Sequence, residues 1–459
     1  MSTATNQPLG KKAMHVLIPE GITSRNHGEA AIFHGICAGL GEIRPVSISL
    51  CTGDRAQDAG AYGSGPELIS DNVVTASSAF GRWVQEVCLL LRHGVFAAVC
   101  RLGGRRAGAW FRAPLWQAYL RTDLIVFGHD NVLAGRTRFN HLLIPAVARA
   151  LGTPIVVYAG TVGPFRDRFS RGLIGWLLRQ TDLVTLREPR SVDNVKLLVK
   201  GDYPPVRLAM DPAFLMPSAS EDRIREILRE NGIPPDVPLV AMTTSAEMAR
   251  RHAAAHGRDL RNGEELYVRE RAALADRLAS RGYWIMLLPH CVEGTGRRND
   301  FLTNRQLAGY AQVPERVRPF PNRYTPQELK GLIGHCRMLV AERTHSMIAA
   351  ASMAVPLVGI SSHATGTKTR GILGEAMGLQ DWLLDVETLR SETLAEVVDR
   401  CLERAEDIRS GLRARLPEVR RLARMPAQWA LELADARKHA RAEASAAGSP
   451  STASGMGGA

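Results

Sequence analysis

A chain of 459 residues is longer than one hydrophobic core usually organises, so the length predicts two domains of ordinary size. The content of 45% hydrophobic and 23% charged residues is typical of a soluble globular protein. The formal charge of +12 indicates an anionic partner, for which nucleic acid, an acidic membrane surface and a phosphorylated metabolite are candidates.

The cysteines and the amino-terminal sequence bear on the compartment. Seven cysteines are scattered without a CxxC pair, which argues against a zinc site or a disulfide framework and fits a reducing compartment. The amino-terminal sequence lacks the apolar stretch and the small-residue cleavage site of a signal peptide. No run of about 18 uncharged apolar residues occurs, so we expect no spanning helix. The sequence therefore predicts a cytoplasmic protein.

The first half of the chain alternates predicted strands with predicted helices. Strict alternation predicts a parallel sheet that is covered on both faces. A polar, Gly-rich stretch at 52–80 is predicted to be a loop. The predicted strands are 14–21, 43–50, 123–130 and 182–188, together with a strand within 154–165 that runs into a Gly-rich loop. The predicted helices are 26–40, 138–151, 171–180 and 191–201.

The alternation is interrupted at 206–222 by prolines and serines and then resumes. We therefore predict an α/β fold with two doubly wound, parallel-sheet (Rossmann-like) domains and a helical C-terminal extension. The predicted divisions are an N-terminal domain at 14–205, a C-terminal domain with helices at 206–440, and a disordered, Ala/Ser/Gly-rich tail at 441–459.

Residues 83–121 form a basic, aromatic segment. It has six arginines and three tryptophans, and no acidic residue occurs between Glu86 and Asp123. One interpretation is a covering helix pair with a solvated basic face. The other is a peripheral contact with an anionic membrane surface, at the inner face of the membrane. No nucleic-acid-binding module surrounds the segment, so we expect no nucleic-acid partner.

The stretch MLVAERTHSMIAAASMAVPLVGIS, at 338–361, places polar residues where a buried strand becomes a helix. Arg343 and His345 are thereby predicted at the carboxyl edge of a parallel sheet, where open α/β sheets bind ligands. A helix start attracts anions, an arginine offers a fork that matches phosphate or carboxylate, and a histidine can move protons near neutral pH. Alternatively, Arg343 pairs with Glu342 and His345 caps the helix. Arg187, at the end of a strand in the first half, favours an anion site between two domains.

Four short motifs, in consistent order, resemble the polysaccharide pyruvyl transferase family. The resemblance spans about residues 14 to 380. It departs from the family at "GHD", where His129 stands in place of a common glycine, and before Lys368, where the usual aromatic residue is absent. The motifs are NHGEAAIFHGI (26–36), YAGTVGPF (158–165), LREPRSVDNVKLL with VRLAMDPAF (186–214), and ERTHSMIAAASMAVPLVGISSHATGTKTRGIL (342–373).

The resemblance implies a two-domain fold like that of GT-B glycosyltransferases. It also implies transfer of the enolpyruvyl unit of phosphoenolpyruvate to sugar hydroxyls, which gives a pyruvate ketal or a related adduct. Phosphoenolpyruvate has a carboxylate and a phosphate, which Arg343 and Arg187 are predicted to bind, with Thr344 and Lys368 as further donor-binding candidates. His345 is the predicted general acid for protonation of the methylene carbon. We expect neither a metal ion nor a cofactor.

Other candidate residues have structural alternatives. Asn26 and Glu29 are predicted to bind substrate, or else to cap a helix and fill its first turn. Asp130 could orient an acceptor hydroxyl or cap the next helix. Asp211 could contact substrate or brace the turn between the domains.

The alternative hypothesis is a GT-B glycosyltransferase that uses a nucleotide sugar in cell-surface polysaccharide synthesis. Such an enzyme would place a carboxylate on the ribose of its donor, and after the 345–354 helix the sequence offers the isolated Glu375. The expected partners are phosphoenolpyruvate and a sugar acceptor, with a lipid-linked carrier and a homo-oligomer both left open.

Overall fold

The computed structural model describes residues 13–447 apart from 64, 71, 77, 129–138, 164, 166, 200, 202, 295–298 and 364–365. For 139–140 and 444–447 it describes the backbone without the side chains. Two predictions, the role of Asp130 and the tail beyond 447, lie outside the described residues.

The first half of the described chain forms a parallel sheet of seven strands in the order β3-β2-β1-β4-β5-β6-β7. The strands are β1 (Met14–Ile18), β2 (Val46–Cys51), β3 (Glu67–Ile69), β4 (Leu124–Phe127), β5 (Ile155–Gly160), β6 (Leu183–Leu186) and β7 (Val206–Leu208). The helices are α1 (His27–Gly41), α2 (Arg55–Tyr62), α3 (Ala79–Gly108), α4 (Pro114–Arg121), a 3-10 helix (Phe139–Leu143), α5 (Ile144–Leu151), α6 (Arg168–Arg179) and α7 (Pro189–Leu198).

A second parallel sheet, of six strands within the described residues, has the order β10-β9-β8-β11-β12-β13. The strands are β8 (Leu239–Thr243), β9 (Trp284–Leu287), β10 (Val317–Pro319), β11 (Met338–Ala341), β12 (Leu357–Ser361) and β13 (Leu383–Asp385). The α-helices are α8 (Glu221–Glu230), α9 (Ala246–Ala255), α10 (Leu260–Ser280), α11 (Asp300–Tyr310), α12 (Pro326–Gly334), α13 (Thr344–Ser352), α14 (Thr367–Thr369), α15 (Ser391–Glu403) and α16 (Ala405–Ala447). Two 3-10 helices (Pro212–Leu215 and Gln380–Trp382) and a π-helix (Arg370–Ala376) complete this half.

The central strands explain why the sequence shows continuous apolar runs. Every residue of β4, β5, β11 and β12 is buried, because helices cover both faces of each sheet. These two doubly wound parallel sheets confirm the predicted α/β fold class.

Three predictions of local structure are wrong. The predicted loop at 52–80 contains α2 and β3, which are short, and α2 buries only Asp58 and Tyr62, so neither gives a clear hydrophobic period. The strand β7 pairs with β6, so the first sheet extends beyond the predicted boundary at 206. The predicted disordered tail is helical from 441 to 447, because α16 continues to Ala447.

The helix α16 joins the two halves. In the first half of this helix, Leu412 and Ala423 belong to the hydrophobic core of the second sheet. Further along, Ala427 and Ala434 belong to a hydrophobic core of the first sheet. An ion pair of 2.9 Å between Lys438 and Asp123 links the C-terminal part of α16 to the first half of the chain. The C-terminal extension therefore holds the domains together rather than belonging to the second alone.

One helix among the described residues, α3, is long and apolar enough to cross a membrane by length and composition alone. Its most apolar stretch has a mean hydropathy of 1.4, and 28% of that stretch is buried. Helices in the cores of globular proteins can pass the same test, so this finding is weak evidence for a span.

Candidate functional site

Two glycines of α1 allow the first half of the chain to touch the second. A Cβ atom at Gly28 would lie 2.5 Å from Nδ1 of His345, and one at Gly35 would lie 1.9 Å from the carbonyl oxygen of Pro212. Any larger side chain would separate these surfaces. The start of α1 therefore meets the start of α13, and the carboxyl edges of the two sheets face each other.

Asp211 lies at the centre of a buried charge cluster at this junction. Its carboxylate accepts a hydrogen bond of 2.5 Å from Nη1 of Arg187 and lies 3.7 Å from Nε2 of His345. It also accepts the N–H of Ala213, so it caps the turn that begins at Pro212, in agreement with the predicted structural role. Nε of Arg187 donates to the hydroxyl of Thr161 at 2.9 Å. One carboxylate thus connects the predicted anion-binding arginine to the predicted acid.

Burial affects the ionisation of these groups in opposite ways. It opposes ionisation of Asp211, but the adjacent Arg187 and His345 hold the pKa of this carboxyl below its usual range. Burial lowers the pKa of His345, although Asp211 acts in the opposite direction. A phosphate or carboxylate bound nearby would add negative charge and raise the pKa of the imidazole.

Lys368, in α14, is half-buried within electrostatic range of Arg187 and Asp211. Burial, followed by repulsion from Arg187, lowers the pKa of Lys368 to about 8. The hydroxyl of Thr344 lies 2.8 Å from that of Thr369, which ties the start of α13 to the segment that contains Lys368. The structure thus brings Arg187, His345 and Lys368 to one place, as the sequence analysis expected of donor-binding residues.

Arg343 forms a forked ion pair with Asp300. Its Nη2 and Nε atoms donate to the two carboxylate oxygens at 2.6 and 3.2 Å, and Asp300 also accepts the N–H groups of His290 and Cys291. The alternative pairing with Glu342 does not occur, because that carboxylate accepts bonds from Arg271 and other groups. The side chain of Arg343 is 19% exposed, so Asp300 holds a guanidinium that remains accessible.

Asn26 and Glu29 have the structural roles that were predicted as alternatives to substrate binding. The side-chain oxygen of Asn26 accepts the N–H of Gly28 at 3.2 Å, and its amide donates to Glu29 at 2.9 Å. Asn26 therefore caps α1, and Glu29 occupies the first turn. This cap fixes the helix start that touches His345. Whether either residue also binds substrate stays a prediction.

Two buried histidines at the junction were not predicted from the sequence. His27 and His290 are 4% and 6% exposed, and their ring centroids lie 5.9 Å apart in an edge-to-face arrangement. Among the described residues, none of their four ring nitrogens has a hydrogen-bond partner. Burial lowers the pKa of His27 to about 4 and that of His290 well below its usual value, so both are neutral at pH 7.

A simple signal could have found His290. It lies three residues beyond β9, at the same edge of the sheet as Arg343, and the rule applied to Arg343 applies to it equally. The sequence gives a weaker indication that His27 belongs to the site, because many residues that follow a helix N-cap have no functional role. Asp300 lies 43 residues from Arg343, and no sequence pattern relates the two.

A cavity of about 280 Å³ lies between α7 and the segment around the π-helix. Arg370 donates to Nδ1 of His363 at 3.0 Å and pairs with Asp385. Glu375, the isolated acid of the alternative hypothesis, lines this cavity. The lining residues are Pro189, Arg190, His363, Thr367, Arg370, Gly371 and Glu375.

Comparisons with known proteins agree with the motifs. Residues 26–364 match the polysaccharide pyruvyl transferase family. The amylovoran biosynthesis protein AmsJ of Erwinia amylovora is 23% identical over 410 residues, which cover 86% of this chain and 94% of AmsJ.

Solved structures with the same fold are more distant in sequence. A glycosyltransferase from Rickettsia africae ESF-5 superimposes with a TM-score of 0.54 at 12% identity, covering 93% of this chain and 99% of that one. A sucrose-phosphate synthase from Thermosynechococcus elongatus gives 0.53 at 11% identity, covering 94% and 100%. The fold is accordingly of the GT-B type. With three quarters of its length matched in order, the chain belongs to the polysaccharide pyruvyl transferase family.

Proposed function

We propose that this protein transfers the pyruvyl group of phosphoenolpyruvate to hydroxyls of a sugar in a polysaccharide or glycolipid precursor. The observation that carries the proposal is the cluster of Arg187, His345 and Lys368 around Asp211 at the junction of the two sheets. Family membership and the similarity to AmsJ support a transferase in polysaccharide biosynthesis.

The charges of the cluster suit a small donor with two anionic groups. Arg187 and Lys368 supply positive charge from the two halves of the chain, and the start of α13 adds the partial positive charge of a helix N-terminus. Arg343, held by Asp300, supplies a third cation at the same edge. A small molecule with both a carboxylate and a phosphate has the negative charge that such a group of cations favours.

The proposed reaction balances without a redox partner. His345 protonates the methylene carbon of phosphoenolpyruvate, and an acceptor hydroxyl forms a bond to the adjacent carbon. Phosphate then leaves that carbon, and a second hydroxyl bonds to it, which completes the ketal. The two acceptor hydroxyls release two protons. One replaces the proton that His345 gave to the new methyl group, and the other leaves with phosphate. Asp211 orients His345 and stabilises its charged form.

His27 and His290 are proposed to receive the acceptor. Buried polar atoms without hydrogen bonds each cost about 1–3 kcal/mol, so a ligand that satisfies them is favoured. Because both imidazoles are neutral at pH 7, each offers one ring nitrogen that accepts a hydrogen bond from a sugar hydroxyl and one N–H that donates to a sugar oxygen. A ketal needs two sugar hydroxyls, and the junction offers two imidazoles that can each accept a hydrogen bond from one of them.

The first experiment measures binding and turnover. Phosphoenolpyruvate should raise the melting temperature of the protein, and it should release inorganic phosphate when a suitable glycan is present. A nucleotide sugar should do neither. A shift with the nucleotide sugar and none with phosphoenolpyruvate would instead establish the glycosyltransferase alternative.

The second experiment identifies the product. A ketal and a simple enolpyruvyl ether contain the same atoms, so mass alone does not separate them. Proton NMR does, because the ketal has a methyl singlet and the ether has vinylic protons. In deuterated water, the ketal methyl should also gain one deuteron.

The role of the two histidines has its own test. His27→Gln and His290→Gln should raise the KM for the acceptor or lower kcat, while the affinity for phosphoenolpyruvate stays near that of the wild type. The matched control is His335→Gln, in the second half and away from the junction. Weakened donor binding with unchanged acceptor kinetics would reverse the assignment.

A further inference from the structure

The helix α3 has apolar residues on two opposite faces. One face packs inward, where Leu89, Phe96 and Cys100 are buried in or beside the core around Trp116. A helix that covers a core needs one apolar stripe, and a second stripe calls for a second partner.

The second stripe is exposed to solvent. We call it the α3 stripe, and its members recur at helical spacing, so they share one side of the helix. Phe80 and Trp83 stack on each other, with ring centroids 6.2 Å apart. Trp110, which follows a kink in the helix at Gly104, is also exposed, at 87%. The α3 stripe consists of Phe80 (75% exposed), Trp83 (58%), Leu91 (62%), Val95 (55%) and Leu102 (91%).

Positive charges accompany the α3 stripe. Arg92 follows Leu91 and Arg101 precedes Leu102, so each lies to one side of the apolar residues. Arg106 and Arg112 lie near Trp110. None of these four arginines forms an ion pair with a carboxylate in the part of the chain that the structure describes. The surface therefore combines exposed aromatic and aliphatic side chains with uncompensated positive charge.

We propose that the α3 stripe docks on the surface of a lipid bilayer that contains anionic headgroups. The apolar side chains would enter the boundary between headgroups and acyl chains, while the arginines would bind phosphates. At 1.5 Å per residue, the stripe from Phe80 to Leu102 is about 33 Å long, which suits a helix lying in the plane of the surface.

The packing of α3 distinguishes this mode from a membrane span. A spanning helix exposes all its sides to lipid, and α3 would have to detach from the core that holds Phe96 and Cys100. Charge distinguishes it from self-association. A symmetric dimer through this face would place the arginines of one copy beside those of the other, which is unfavourable.

The proposal does not depend on the proposed chemistry, and its test does not measure activity. The full-length protein is floated with vesicles of phosphatidylcholine, with and without phosphatidylglycerol. We expect it to float with the anionic vesicles at low salt, to be released partly by high salt, and to remain unbound to neutral vesicles. Tryptophan fluorescence should shift to the blue on binding, because Trp83 and Trp110 leave water.

Two variants separate the apolar and the charged contributions. Trp83→Ser with Leu102→Ser should lower the partition coefficient at least tenfold, because buried apolar area is lost. Arg101→Gln with Arg106→Gln should lower it about fivefold per arginine. Leu260→Ser with Leu302→Ser is the matched control, since both leucines are exposed in the second half, and it should bind vesicles like the wild type.

Each variant is first checked for an unchanged circular dichroism spectrum and melting temperature. Absence of flotation with anionic vesicles at low salt would overturn the proposal. So would a lipid-free dimer, detected by light scattering, that the Trp83→Ser, Leu102→Ser variant abolishes, because the α3 stripe would then be an interface between two copies. Equal loss of binding in the leucine control would overturn it as well.

Discussion

Oδ2 of Asp211 lies 3.7 Å from Nε2 of His345, although the two residues belong to different structural elements far apart in the chain. The same carboxylate binds Arg187. The predicted proton donor and the predicted anion-binding arginine therefore share one buried partner. Arg187 fixes the carboxylate, and the negative charge of the carboxylate favours the charged form of the imidazole.

His345→Asn should separate proton transfer from donor binding. We expect turnover to fall by roughly 10²- to 10⁴-fold, the usual contribution of a positioned acid or base, while the affinity for phosphoenolpyruvate changes little. An acid must be protonated, so kcat of the wild type at saturating donor should fall on the alkaline side. Near wild-type turnover in the variant would disprove the mechanism without affecting the family assignment.

Lys368 should impose a pH dependence on donor affinity. Because its pKa is lowered to about 8, the lysine is charged below that pH and loses its charge above it. The Kd for phosphoenolpyruvate, measured by calorimetry, should therefore increase above about pH 8. Lys368→Arg should remove this dependence, since an arginine stays charged. An identical slope in the variant would assign the titration to another group.

Arg343→Lys tests the fork that Asp300 holds. Lysine keeps the charge but cannot form the two-point contact, so donor affinity should fall by about 1.5–3 kcal/mol. Asp300→Asn leaves Arg343 in place and should cause part of the same loss, because the guanidinium is then held less firmly. Unchanged donor binding in both variants would remove Arg343 from the site.

The buried pair of Arg271 and Glu342 should matter for stability rather than for chemistry. Both side chains are 2% exposed, and Tyr267 donates a further hydrogen bond of 2.7 Å to Glu342. Arg271→Met leaves the carboxylate buried without its counterion, so we expect a loss of about 3–5 kcal/mol in the free energy of unfolding. The control is Arg269→Met, two residues away in α10 and exposed. It should lower the free energy of unfolding by less than about 1 kcal/mol.

His93 should make the protein less stable in mild acid. Burial is the main reason that its pKa is lowered to about 4, whereas an unfolded histidine titrates near 6.5. The unfolded chain therefore binds more protons between these values, and stability is lost as the pH falls from about 6.5 towards 4. Between pH 6.5 and 5 the loss should be about 2 kcal/mol from this residue.

Chemical denaturation of the wild type and of His93→Gln at both pH values checks this expectation. The variant should lose less stability on acidification than the wild type. His439→Gln, on the exposed side of α16, is the control and should behave like the wild type. Equal losses in the wild type and in His93→Gln would exclude His93 as a source of acid sensitivity.

The sequence by itself determined the architecture. Strands covered on both faces must be apolar throughout, so β4, β5, β11 and β12 appear as uninterrupted apolar runs between helices. It also predicted the edges at which Arg187 and Arg343 lie, because a residue that follows a parallel strand has a fixed place on the sheet. Short elements such as β3 and β7 escaped prediction, since three residues cannot establish a period.

Only the tertiary structure determined which carboxylates lie next to the site residues Arg343 and His345. Asp300 binds Arg343, and Asp211 lies beside His345, through contacts between distant segments, and local periodicity contains no information about such pairs. It also decided which apolar faces are covered. The sequence of α3 has apolar residues on two opposite faces, and the packing of Phe96 and Cys100 into the core leaves Leu102 in solvent. The hydrophobic pattern of a helix indicates that an apolar face must be covered. Whether another part of the same chain covers that face depends on the tertiary packing.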